Sequence, residues 1–339
     1  MHPEVKYIGL LMLLYSGTTS NGFKYSILRD TVKKLKQWSK SVGHDLLLNP
    51  LNKHILLLFS SKTGTSETLC NKITVENIKQ ISDHVPTHIK PRNDAELGHY
   101  LAGLIDGNGH FSSKQQLVIT FNSLDISLAY FIKKQIGYGS VYKVKKKNAV
   151  TLVIAAKKGL ETVINLINGK LRSKNKFKQI SKNIVNNIKF LDFNKIVSLK
   201  LNTSDDFKNL WLAGFSDAYA SFQIKLISHN NKTEVRLNYQ IDQKENYILI
   251  LIKNFIGGNI GFRIDQDTYY YGSTSFGSAK NVINYFDHYN LLSSKHINYL
   301  KWRKAYIIIQ KKDHLNHTGI AKILKLKNTM NRFNDNTVI

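Results

Sequence analysis

The chain has 339 residues, 49 lysines and arginines against 23 aspartates and glutamates, and a 42% hydrophobic fraction, which is too high for a disordered chain and enough for two or three cored domains. A single cysteine, Cys70, excludes an internal disulfide and a cysteine-based zinc site. A net charge of +26 makes a folded body repel itself unless a polyanion neutralises it, so nucleic acid is the expected partner.

Residues 1–93 carry 13 basic and 6 acidic side chains and no recognisable motif, and are read as an N-terminal extension. Their longest apolar run, Ile8 to Tyr15, is shorter than the roughly 18–20 residues that span a bilayer. With Glu4 ahead of it and no small-residue cleavage site behind it, this run is not expected to be a targeting peptide, and no membrane contact is expected. Lys24–Lys40 suits a helix, and Ile55–Phe59 a buried segment.

From Asp94, a candidate cap, Leu97, Leu101, Leu104 and Ile105 recur at helical spacing. Alternation then predicts strands at Gln116–Asn122, Val141–Val144 and Val150–Ala155, with helices at Leu124–Ile136 and Gly159–Ile167. From Asp205 the order recurs: a helix through Leu210 and Phe215, strands at Gln223–Ile227, Val235–Ile241 and Thr268–Phe276, and helices at Tyr247–Phe255 and Ala279–Tyr289. Each half, 94–200 and 201–339, reads as αββαββα, an α+β organisation. The halves carry 18 basic and 6 acidic, and 18 basic and 11 acidic, side chains, so the charge belongs to folded parts rather than to one tail.

The two halves are an internal repeat. LAGLIDGNGHF starts at Leu101 and LAGFSDAYASF at Leu212, 111 residues later. FIKKQIGYGSVYKV is echoed by LIKNFIGGNIGFRI, with Gly137 against Gly257, and GKLRSKNKFKQI by NLLSSKHINYLKW, with Lys174 set against Lys295. The offset grows by nine before the glycines, where Ser228–Lys232 reads as a hairpin-loop insertion. Ala102, Gly103 and Gly107, matched by Ala213, Gly214 and Ala218, allow two helices to approach more closely than the usual 8–10 Å and predict that the motif helices pack on each other. Two antiparallel sheets related by a pseudo-twofold, forming one basic saddle in a monomer, are the expected result.

These residues resemble the LAGLIDADG homing endonucleases and group I intron maturases in their two-motif, single-chain form. The resemblance covers about residues 94–330 and implies that the eighth motif position of each copy is an acid that holds divalent metal for DNA cleavage. Asn108 and Tyr219 stand there, and neither supplies the anionic oxygen that Mg²⁺ prefers. Ala220 also replaces the glycine that Gly109 keeps. Asp106 and Asp217 remain as either substitute metal ligands or polar groups satisfying local donors, the second being preferred. No catalytic residue and no protein-bound metal or cofactor is expected, and Mg²⁺ is assigned to the RNA.

The resemblance then implies an RNA-binding maturase for the protein's own group I intron, encoded in a fungal mitochondrion, acting in the matrix and with or without a nuclear-encoded helper. Residual endonuclease or nickase activity, and a non-catalytic DNA-binding or ribonucleoprotein role, are the alternatives. Candidate phosphate contacts are Lys174 and Lys295, the run Lys143, Lys145, Lys146 and Lys147 (or a solvated loop), and Arg303, Lys304, Lys311 and Lys312 beside Trp302 and Tyr306. Trp302 reads equally as core. His99 and His296 lie near the motif elements and are read as structural or surface groups.

Overall fold

The computed structural model describes residues 80–187, 190, 198–229 and 232–330. The features predicted for Lys24–Lys40 and Ile55–Phe59 lie outside the described residues. The first half runs α1 (Asp94–Asn108), β1 (Gly109–Ser112), β2 (Gln116–Asn122), α2 (Ile126–Ile136), β3 (Ser140–Lys143), β4 (Ala149–Ile154), α3 (Lys157–Ile167) and α4 (Lys174–Ile180), continued by a π-helical turn at Ser181–Val185. The second runs α5 (Trp211–Tyr219), β5 (Ala220–His229), β6 (Lys232–Gln243), α6 (Tyr247–Ile256), β7 (Asn259–Arg263), β8 (Thr268–Ser273), α7 (Phe276–His288), α8 (Lys295–Gln310) and α9 (His317–Thr329).

Each half builds one four-stranded antiparallel sheet, in the order β1-β2-β4-β3 and β5-β6-β8-β7. The strand alternation has a clear physical cause. Leu117, Ile119 and Phe121 of β2 pair with Ile154, Leu152 and Val150 of β4, placing apolar side chains on one face and their neighbours on the other. In the second sheet the Phe222–Tyr239–Ser273 and Ala220–Ile241–Tyr271 rows do the same. Phe222 packs against Phe286, Tyr299 and Trp302, so α7 and α8 cover this inner face. Trp302 is core, with no surface exposed.

The two halves meet through α1 and α5. Both helices are buried nearly all round, as expected for helices enclosed by partners rather than lying at a surface. A Cβ built on Gly103 would sit 1.9 Å from the Trp211 carbonyl oxygen, and one on Gly214 would sit 2.0 Å from that of Tyr100. The contact is thus reciprocal at the repeat offset of 111, and a Gly107 Cβ would fall 2.2 Å from the Ala218 Cβ. Ala102 and Ala213 are buried, and the Ala213 amide donates to the Tyr285 hydroxyl of its own half at 3.2 Å.

Three local features differ from the sequence reading. Asn93, one residue before Asp94, caps α1 by accepting from the Glu96 amide at 2.9 Å. Asp205 caps nothing: the Arg172 guanidinium draws in the carbonyls of Ser204 and Asp206, holding that segment irregular until Trp211. The nine-residue gain in offset is also not confined to a loop. It lengthens the paired strands themselves, to 10 and 12 residues in β5 and β6 against 4 and 7 in β1 and β2.

Residues 80–92, read as the end of an extension, form a strap on the second half. Ile81 exchanges two hydrogen bonds with the Gln310 side chain, both 2.9 Å, and the Ile89 amide donates to Asn290 Oδ1 at 2.6 Å. His88 packs edge-on against His296, with ring centroids 4.5 Å apart. Among the described residues, no helix is long and apolar enough to cross a membrane.

Candidate functional site

The motif helices end side by side because Gly107 and Ala218 present no bulk at their contact, and each helix runs directly into the first strand of its sheet. Asn108 is half-buried, and its amide donates weakly to the Thr120 carbonyl at 3.4 Å. Tyr219 is 44% exposed, its ring lies edge-on to Phe215, and its nearest ring carbon would be 3.4 Å from a Cβ on Gly107. An amide and a phenol therefore occupy the paired ends.

The acids two residues back are committed elsewhere. Asp106 accepts from the amides of Arg172 and Ser173 at 2.7 and 3.1 Å and from Trp211 Nε1 at 3.0 Å. Burial pushes its carboxyl up to about 7 despite these bonds, which favour the charged form. Asp217 accepts from the Leu292 amide at 2.8 Å, the Tyr100 hydroxyl at 2.7 Å and the Ser293 hydroxyl. Its carboxyl is likewise raised by burial. Each acid thus ties its motif helix to the loop before a later helix of its own half, α4 for Asp106 and α8 for Asp217, and to the opposite motif helix, through Trp211 for Asp106 and Tyr100 for Asp217. The residues present do not fit a divalent ion shared between the motif ends: the eighth-position donors are neutral, and the neighbouring carboxylates are occupied by hydrogen-bond donors. Among the described residues, no group of three His, Cys, Asp or Glu side chains is arranged to hold a metal ion.

These latches also correct one alignment. Arg172 and Ser173 stand to Asp106 as Leu292 and Ser293 stand to Asp217, an offset of 120, the same as between Gly137 and Gly257. Asn175, not Lys174, is therefore the counterpart of Lys295. Lys174 lies exposed at the start of α4, with Nζ 5.7 Å from the centre of the Tyr247 ring. Lys295 is half-buried, donates to the carbonyls of Ser216 and Ala218 at 3.1 Å each, and is lowered by desolvation to about 8. Together with Asn108, Asp125 and Asp217 it lines a cavity of about 370 Å³ beside the first motif end.

Of the remaining candidates, Lys143, Lys145, Lys146 and Lys147 are exposed around the β3–β4 hairpin, with Lys146 in a left-handed conformation. Arg303 is not available to phosphate. It is 2% exposed, pairs with Asp287 at 2.9 Å, and donates to the carbonyls of Ser82 and His84 in the strap. Lys311 pairs with Asp83, while Lys304 and Lys312 are exposed on the helical side of the second sheet. Tyr306 is buried and stacks on Phe276 with centroids 4.2 Å apart. His99 and His296 are both lowered to about 4, chiefly by burial.

The basic saddle expected across both sheets is not matched on the first sheet, and on the second two of the described outer-face cations are paired with carboxylates. By the registers, the outer face of the first sheet presents His110, Gln116, Thr120, Asn122, Tyr142 and Thr151 among its residues, and no lysine or arginine. On the second, Arg236 pairs with Glu234 at 2.6 Å and Arg263 with Asp242 at 2.8 Å, leaving Lys225 without a carboxylate within 4 Å among the described residues. Strand alternation alone could have shown this, because among the described strands of the first half the single lysine is Lys143, which registers with the inward-facing Val150. The sequence reading also passed over Asp125, whose carboxylate accepts from the Ser294 amide at 2.6 Å, and Arg172, which no local pattern marks as buried.

Comparison with known proteins fits this architecture. The LAGLIDADG endonuclease family model matches residues 212–306. The chain is 58% identical to the uncharacterized cox1 intron-2 37.2 kDa protein of Schizosaccharomyces pombe, over 94% of this chain and 97% of that one. It is 30% identical to the intron-encoded DNA endonuclease aI3 of Saccharomyces cerevisiae, over 69% of this chain and 68% of that one. It is 26% identical to the intron-encoded RNA maturase bI4 of the same yeast, over 68% and 36%. The LAGLIDADG meganuclease I-AabMI, solved bound to uncleaved DNA, shares the fold with a TM-score of 0.58 at 22% identity, over 69% of this chain and 99% of that one. The chain belongs to the LAGLIDADG family, and relatives of both kinds, endonuclease and maturase, resemble it.

Proposed function

We propose that the chain is an RNA-binding maturase that assists folding and splicing of the group I intron encoding it, in a mitochondrial pre-mRNA, and that it does not cut DNA. One observation carries this reading: the metal-binding positions hold Asn108 and Tyr219 while Asp106 and Asp217 serve as internal latches, in a scaffold that is otherwise complete and carries a charge of +26. Intron-encoded relatives, one of them named an RNA maturase, support it. The protein's part is to neutralise and position phosphates so that the RNA tertiary fold is held, while the intron supplies the chemistry and its own Mg²⁺.

Purified protein incubated with the intronless duplex target in Mg²⁺ or Mn²⁺, and separately with the intron transcript, tests this. Binding of the transcript without cutting of the duplex is expected. A site-specific cut by the wild-type protein would establish the endonuclease reading instead.

A further inference from the structure

The sheet faces leave most of the charge unexplained, and the first half shows where part of it goes. Between Glu161 and Asp192 there is no acidic residue, and this stretch contains Lys170, Arg172, Lys174, Lys176, Lys178 and Lys182. Arg172 is fully buried, Lys170 bonds the Leu166 carbonyl, and Lys176 is half-buried near Asp106. Lys174, Lys178 and Lys182 are different. They recur every four residues along α4 and its π-helical turn, all three are exposed, and none has a carboxylate within 4 Å among the described residues.

The opposite side of the same helix explains why they point outward. Ile180 and Ile184 are buried, while Gln179 and Asn183 satisfy the amide and carbonyl of Phe111 on the edge of β1, at 3.1 and 2.7 Å. The lysine ridge is therefore held rigidly on an element anchored to the sheet edge. Exposed Asn175 and Asn186 flank it, and Tyr247 lies beside Lys174.

We propose that this ridge, and not the outer faces of the sheets, is a principal RNA-docking surface of the protein; the proposal rests on the maturase reading. Three cations without a carboxylate partner among the described residues suit phosphates presented across the wide, shallow minor groove of A-form RNA. The flanking amides both donate and accept, which matches a 2′-hydroxyl, a group DNA lacks. Structured RNA rather than duplex DNA is the ligand this surface fits.

The test compares wild type, the triple variant Lys174→Gln/Lys178→Gln/Lys182→Gln and the sheet-face variant Lys225→Gln/Arg236→Gln. Each is titrated with transcripts of the host intron and of the relative's cox1 intron 2, and with a duplex DNA of equal length, across a salt series. Thermal melts confirm that the variants fold. For the triple variant the salt slope of intron binding should fall in magnitude by about 2 to 3, with weakened binding, while duplex binding holds. The sheet-face variant should retain intron binding. If the sheet-face variant loses intron binding and the triple variant keeps it, the surface assignment is overturned and the maturase reading survives. If the wild type binds neither transcript in preference to the duplex, the maturase reading fails and the assignment fails with it.

Discussion

Replacing Gly103 with alanine should weaken the protein at the contact on which the whole architecture turns. The added Cβ would lie 1.9 Å from the Trp211 carbonyl oxygen and 2.8 Å from the Phe215 amide nitrogen, both backbone atoms of the opposite helix. No side-chain rotation relieves such a contact, so α1 and α5 must move apart until the closest approach is at least 3.0 Å. Core overpacking costs about 1–3 kcal/mol, and a backbone obstacle in the central helix pair belongs at the upper end. The better helix propensity of alanine offsets up to ~1 kcal/mol, leaving a net loss of ~2–3 kcal/mol. Gly277 supplies the control: it is also helical, but its Cβ would meet nothing within 4 Å, so Gly277→Ala should be neutral or slightly stabilising. Urea unfolding followed by the fluorescence of buried Trp211 and Trp302 reads both. The reasoning is refuted if Gly103→Ala unfolds at the same urea midpoint as Gly277→Ala.

Three further outcomes follow from the site. The Asp106 carboxyl is raised to about 7, so its contribution to stability is full below the unfolded value near 4 and is lost as pH rises towards 7; the stability advantage of wild type over Asp106→Asn should shrink across that window, on the order of a few kcal/mol, in parallel urea titrations. Arg303→Ala strands Asp287 and frees the carbonyls of Ser82 and His84, so it should cost ~3–5 kcal/mol and raise hydrogen exchange in residues 80–92, whereas Lys304→Gln should change stability by no more than ~0.5 kcal/mol. Asn108→Asp alone should not create cleavage of the intronless target, because the opposite position still presents a tyrosine; a Mg²⁺-dependent cut by that variant would show that one carboxylate suffices.

The repeat was legible because two motifs at matched spacing are hard to produce by accident, and the glycines within them carry a steric meaning that the helix contact repeats. Strand and helix periodicity placed most elements within a few residues, since apolar alternation reflects a buried sheet face directly. What was not legible depended on distant partners. Arg303 looks like a surface cation until Asp287 and the strap carbonyls surround it, 16 residues away and more than 200 residues away. In sequence, Lys174 and Lys295 both follow a serine and align with each other, and only the bonds to Asp106 and Asp217 fix the register. Net charge counts side chains without saying which face of a strand or helix bears them, so it cannot place a basic saddle.

In the proposed function the scaffold grips polyphosphate while the eighth motif positions lack the acids needed for cutting. The most direct measurement is the splicing rate of the host intron as free Mg²⁺ is lowered, with and without purified protein. A protein that holds the RNA fold should move the Mg²⁺ midpoint to lower concentration and sustain splicing where the RNA alone stalls. Superimposable curves, with and without protein, would contradict the account.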